Sequence, residues 1–211
     1  MKRAVVALVV LGVTCMALAY SRMLPAYAKA SDRYVRSQVV TLRGENGLCS
    51  GVVVHGPSGR SYVLSAGHCA DIAVGGLMPA YTEEGVRKVL TVVKVDANRD
   101  LMLLRGIEDT GVPIADKYAI HDSVRIIAHG KGHAAYTSEG EMLEEDIVPI
   151  LDQDVHHVFL VVFTSARAIG GCSSGPAVDS AGKLIGIVSV TDGFFSGVVP
   201  LKVIHSFMVG T

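Results

Sequence analysis

The chain reads as an all-β protein, a sandwich or barrel built from many short strands. Two observations carry that reading. Short β-branched runs recur along most of its length and are separated by Gly, Asp, Asn and Pro, and only the C-terminal segment shows a convincing helical pattern. Strands spaced this closely, with no helices between them, do not fit an alternating βαβ sheet.

In order, the predicted strands are Tyr34–Arg43, Leu48–His55, Ser61–Ala66, Val86–Asp96, Leu101–Arg105, Ser123–His129, His157–Thr164, Pro176–Asp179, Leu184–Val190 and Gly197–Pro200. The turns between them include Gly56-Pro57-Ser58-Gly59, Ala97-Asn98-Arg99 and Asp179-Ser180-Ala181-Gly182. Leu201–Met208 is the predicted helix, with a weaker helical turn around Ala66–Ala70. The acidic, unpatterned stretch from Gly132 to Gln153 is read as a long hairpin and loop.

With 211 residues, half of them hydrophobic, the chain suits one domain or two small halves sharing a core. A net charge of −1 gives no electrostatic reason to expect nucleic acid or acidic lipid as a partner. The N-terminus differs in kind. Lys2 and Arg3 precede an uncharged apolar run from Ala4 to Tyr20, and two small-x-small sites are available, Ala17-Leu18-Ala19 within it and Ala26-Tyr27-Ala28 after it. Residues 1–28 are therefore expected to be a secretion signal, or an anchor if the run is retained. At a helical rise that run spans about 26 Å, slightly short of a bilayer core of about 30 Å. The remainder is expected to be secreted or periplasmic. Cys15 lies in this leader, which leaves Cys49, Cys69 and Cys172 for one bridge and one free thiol.

Three segments carry candidate chemistry. His68 stands where the buried strand Val63-Leu64-Ser65 runs out into small residues, a rigid place to hold an imidazole. Asp100 abuts the apolar strand Leu101-Met102-Leu103-Leu104, so its carboxylate can be buried beside a histidine; Asp96, on the outer side of the same turn, is the weaker choice. Gly171-Cys172-Ser173-Ser174-Gly175-Pro176 sets a thiol and two hydroxyls in a glycine-permitted turn. Gly171 and Ser173 can there offer backbone N–H groups to a developing oxyanion.

Taken in chain order, Ser-Ala-Gly-His-Cys, Asp-Leu-x-Leu-Leu 32 residues later and Gly-x-Ser-x-Gly-Pro 73 residues after that resemble the chymotrypsin-like serine proteases. The resemblance implies two six-stranded antiparallel β-barrels with a short C-terminal helix. Within residues 29–211 the barrels would fall at about 33–108 and 120–211. It implies a His68, Asp100, Ser173 triad, an oxyanion hole at Gly171 and Ser173, and a Cys49–Cys69 disulfide. It also implies an acyl-enzyme route to peptide hydrolysis with no metal or cofactor, and a cleft edge at Ser189, Val190 and Thr191 that pairs with an extended protein or peptide substrate.

The sequence departs from the pattern in three places. Cys172 replaces the Asp of digestive-type members, so activation by an inserted N-terminus is not expected, and the chain looks nearer HtrA-type and viral proteases. Ser174 replaces a Gly, where a Cβ would crowd the turn. Arg167 stands at the position that floors the specificity pocket in trypsin-like members, where it would favour an acidic P1 residue. The alternative readings are a pseudoprotease acting as a peptide-binding module and a thiol protease using Cys172.

Overall fold

Apolar residues alternating with polar ones let each strand turn one face inward, and here the inward faces close on themselves twice. The structure, a computed structural model, describes residues 31–211 other than 46, 71, 130–135 and 153–154. The first barrel comprises β1 (Val39–Arg43), β2 (Leu48–His55), β3 (Ser61–Ser65), β4 (Leu77–Tyr81), β5 (Arg87–Asp96) and β6 (Leu101–Arg105). The second comprises β7 (Ser123–Ala128), β8 (Tyr136–Asp152), β9 (Val155–Thr164), β10 (Pro176–Val178), β11 (Leu184–Thr191) and β12 (Ser196–Pro200). Both are closed, and both wind alike: β1-β2-β3-β6-β5-β4 in the first is matched by β7-β8-β9-β12-β11-β10 in the second. This is the chymotrypsin-like fold.

Two elements differ from the sequence expectation, and a third matches it in part. The segment read as the start of the first strand is instead a helix, α1 (residues 31–37). Its hold is tertiary. Asp32 pairs with Arg125 of β7 at 2.6 Å, the Tyr34 hydroxyl donates to the carbonyl of Gly111 at 2.6 Å, and Val35 is fully buried. β4 was not foreseen, being short and interrupted by Pro79; it pairs with β1 at only two positions, so the missing N–H costs the sheet little. The acidic stretch read as hairpin and loop is hairpin for most of its length: β8 pairs with β7 and then, through a register shift between Met142 and Glu145, antiparallel with β9.

A shared core fills the seam between the barrels. Leu64 and Leu103 of the first barrel, Ile127 and Ile187 of the second, and Ile204 and Phe207 of the closing helix α2 (Leu201–Met208) belong to one buried cluster. Each such side chain contributes on the order of 2 kcal/mol relative to exposure. Lys94 of β5 donates to the Phe207 carbonyl and lies 4.5 Å from the centre of its ring, a cation placed at a helix C-terminus. The connection between barrels runs through the same seam, with Val112 N–H on the Val53 carbonyl at 2.7 Å and Ala115 N–H on the Leu184 carbonyl at 2.9 Å. The barrels are thereby fixed edge to edge, and residues from both meet at the seam.

Candidate active site

From the first barrel come His68 and Asp100. β3 ends at Ser65, and the chain turns through a single 3₁₀ turn, Gly67–Cys69, that carries His68. Gly67 permits this turn, because a Cβ there would lie 2.9 Å from the Leu101 backbone nitrogen. Asp100 closes the β5–β6 turn with φ of 50°, a left-handed conformation that aspartate tolerates better than most residues. The turn drives its side chain inward, leaving it 1% exposed.

The Asp100 carboxylate is held from three directions. His68 donates its backbone N–H to Oδ1 at 2.8 Å, and His68 Nδ1 lies 3.0 Å from both oxygens. The third donor is the Ser189 hydroxyl of β11, hydrogen-bonded to Oδ2. A carboxylate only accepts, so Nδ1 carries the ring proton and Nε2 is left as an acceptor. Burial pulls the imidazole pKa down, but the hydrogen bond and charge of Asp100 together outweigh it and leave the pKa above its ordinary 6.5.

From the second barrel comes the Gly171–Gly175 turn. Two tight turns follow one another, closed by Cys172 N–H to the Ile169 carbonyl and Gly175 N–H to the Cys172 carbonyl, both at 2.8 Å. Their third residues are Gly171 and Ser174, with φ of 88° and 71°, as type II turns require. Ser173 is left at the apex, half-buried. The N–H groups of Gly171 and Ser173 donate to nothing among the described residues, nor is the Ser173 hydroxyl or His68 Nε2 engaged there. Two open amides on the turn that bears an open hydroxyl can receive a carbonyl oxygen, and Ser174 of that turn is bonded to Ala66, two residues before the ring acceptor of His68.

The other sequence candidates fall as follows. Ser189 was expected to edge the cleft, but its hydroxyl turns inward onto Asp100. Val190 is half-buried, while Thr191 braces the β11–β12 turn by donating to the Phe195 carbonyl at 3.0 Å. Arg167 is exposed; its backbone is held by Ser138 and Tyr136 at 2.8 and 2.9 Å, and its guanidinium has no partner among the described residues. Cys49 and Cys69 form the disulfide. Their sulfurs lie with a His68 ring nitrogen within 4.8 Å of one another, but bonded to each other they offer no thiolate to a metal. Cys172 is fully buried in the second barrel's core, and burial raises its thiol pKa. It is therefore a poor nucleophile.

Sequence reasoning missed Ser50, although a serine inside the apolar run Leu48-Cys49-Ser50-Gly51-Val52 was a signal. It donates its N–H to the Ser173 carbonyl at 2.8 Å and its hydroxyl to the Gly171 carbonyl at 3.0 Å.

The trypsin-like peptidase domain family matches residues 49–187, a span that begins at the first disulfide cysteine and contains His68, Asp100 and Ser173. The chain belongs to the trypsin-like peptidases. No curated protein matches the peptidase by sequence. Among solved structures it is similar to the Rv3671c protease in an inactive form, at 17% identity and a TM-score of 0.70, over 86% of this chain and 93% of that one. It is also similar to the inactive Ser343Ala mutant of Rv3671c from M. tuberculosis H37Rv, at 16% identity and 0.69, over 84% and 88%. At such identity the likeness carries the fold alone. Family and fold together make the chain a chymotrypsin-like serine peptidase.

Proposed function

We propose that the peptidase is an exported endopeptidase that works through His68, Asp100 and Ser173. The observation that carries this reading is the His68 ring fixed by Asp100 with Nε2 unengaged among the described residues, on a turn whose leading residue Ala66 is bonded to Ser174, the neighbour of the apical Ser173. Ser173 Oγ attacks the substrate carbonyl as His68 Nε2 takes its proton. Negative charge develops on the carbonyl oxygen, which the Gly171 and Ser173 N–H groups, open among the described residues, receive. His68 then gives the proton to the leaving amine, and water, activated by the same ring, releases the acyl group from Ser173. Asp100 holds the tautomer and stabilises the charged imidazole. The disulfide and the basic-then-apolar leader both support an oxidising compartment outside the cytoplasm.

Substrate choice centres on Arg167. An exposed guanidinium without a partner among the described residues, six residues before Ser173, suits a P1 carboxylate through a bidentate contact. Cleavage of a peptide library by wild type and Arg167→Glu tests this. Enrichment of Asp or Glu at P1 for wild type, lost in the variant, is expected; indifference to P1 charge overturns the acidic preference. Absence of any cleavage that Ser173→Ala abolishes overturns the endopeptidase reading and favours a peptide-binding role.

A further inference from the structure

We propose that Ser50 and Ser174 are positioning residues that bracket Ser173, Ser50 tying the nucleophile turn across the seam to β2 and Ser174 tying it to the Ala66–Cys69 segment that carries His68. The inference rests on Ser173 as the nucleophile. Catalysis here needs a side chain from one barrel to meet a ring from the other, so its geometry depends on how two separately closed barrels are aligned. The Gly171–Gly175 turn has contacts to the first barrel on both sides of its apex.

On one side, the Ser50 hydroxyl donates to the Gly171 carbonyl at 3.0 Å and accepts the His129 N–H at 3.1 Å. The Ser50 backbone completes the hold, its N–H on the Ser173 carbonyl at 2.8 Å and its carbonyl accepting the Ser65 hydroxyl at 3.1 Å. On the other side, the Ser174 hydroxyl accepts the Ala66 N–H at 2.7 Å and lies 3.3 Å from Cys69 Sγ. That sulfur belongs to the disulfide and carries no proton, so the hydroxyl donates to it. Ser65, Ala66 and Cys69 all lie within three residues of His68.

Ser50 and Ser174 are both fully buried, and all their hydroxyl partners are protein groups. At Ser174 a glycine would take φ of 71° with less strain, so the side chain's addition to this turn is the hydroxyl and its two contacts. The Cβ that the sequence reading expects to crowd this turn sits at a left-handed φ, where any side chain is disfavoured relative to glycine.

The test compares the full chain with Ser174→Gly, Ser50→Ala and the double variant. Four quantities are measured: thermal midpoint, the second-order rate of Ser173 labelling by a fluorophosphonate, peptide turnover per labelled site, and hydrogen exchange at the Ala66 amide. For near-attack geometry disturbed by a fraction of an ångström, labelling rate and kcat fall roughly tenfold in each single variant, KM staying put, and further in the double. Ala66 exchange accelerates in Ser174→Gly. Wild-type labelling and kcat per site in folded variants, with only the midpoint moved, overturn the proposal. If wild type itself takes no label, the nucleophile reading falls separately. Ala66 exchange then still decides whether the Ser174 hydroxyl holds the seam, and unchanged protection in Ser174→Gly overturns that hold.

Discussion

Asp100 grips His68 twice, through the backbone N–H at 2.8 Å and through Nδ1 at 3.0 Å. The double grip fixes the ring's tautomer and its position together, and it sets the first prediction.

Because Asp100 raises the His68 pKa, the pair stabilises the fold most below pH 6.5, and that contribution fades as pH rises through the raised folded value. Activity runs the other way, since the base must be neutral. The acid limb of kcat/KM should have its midpoint above 6.5, matching the His68 ring titration followed by NMR. Asp100→Asn leaves burial without its counterweight and should move the ring below 6.5. A wild-type midpoint below 6.5 contradicts the geometry.

Ser189→Ala removes one donor from a buried carboxylate. Hydrogen bonds to charged groups are worth about 1.5–3 kcal/mol, so a loss of roughly tenfold or more in kcat is expected. Steady-state kinetics at saturating peptide would show it, and unchanged kcat would mean that the hydroxyl does not support Asp100.

How much of this was legible in sequence differs by element. β2, β6 and α2 were readable to the residue, because their apolar content and bounding turns are local. α1 was not: Val35 and Val39 fit either a helix or a strand, and the Asp32–Arg125 pair that settles the matter spans 93 residues. β8 is strand by virtue of its neighbours, since an acidic sequence that buries only Met142 fully among its described side chains carries little pattern of its own. At the site, His68, Asp100 and Ser173 stand out because each interrupts a strand or turn in a recognisable way. Ser50 and the inward turn of Ser189 do not, because a serine's partner is set by the far side of the seam.

Gly171→Ala should separate catalysis from folding. A side chain at φ of 88° costs about 1–3 kcal/mol of strain or rotates the peptide, withdrawing an N–H from the site. Removing one oxyanion donor lowers kcat by about 10²–10³. Thermal unfolding alongside kinetics would show a folded, nearly inactive protein; full activity would place the oxyanion elsewhere.

Loss of the Cys49–Cys69 bridge, which closes a separation of 20 residues, should cost about 3 kcal/mol in the chain-entropy model. Denaturant unfolding of the Cys49→Ala/Cys69→Ala variant measures it. Because Cys49 adjoins Ser50 and Cys69 adjoins His68, kcat should fall as well, even where the variant remains folded. A change confined to stability would contradict that link.

The most direct test of the central claim is peptide mapping by mass spectrometry after fluorophosphonate labelling. The account predicts a single adduct on Ser173, lost in Ser173→Ala and in His68→Ala, and still formed on Ser173 in Ser174→Ala. An adduct on Ser174 or Cys172, or no adduct on a folded wild-type protein, would contradict it.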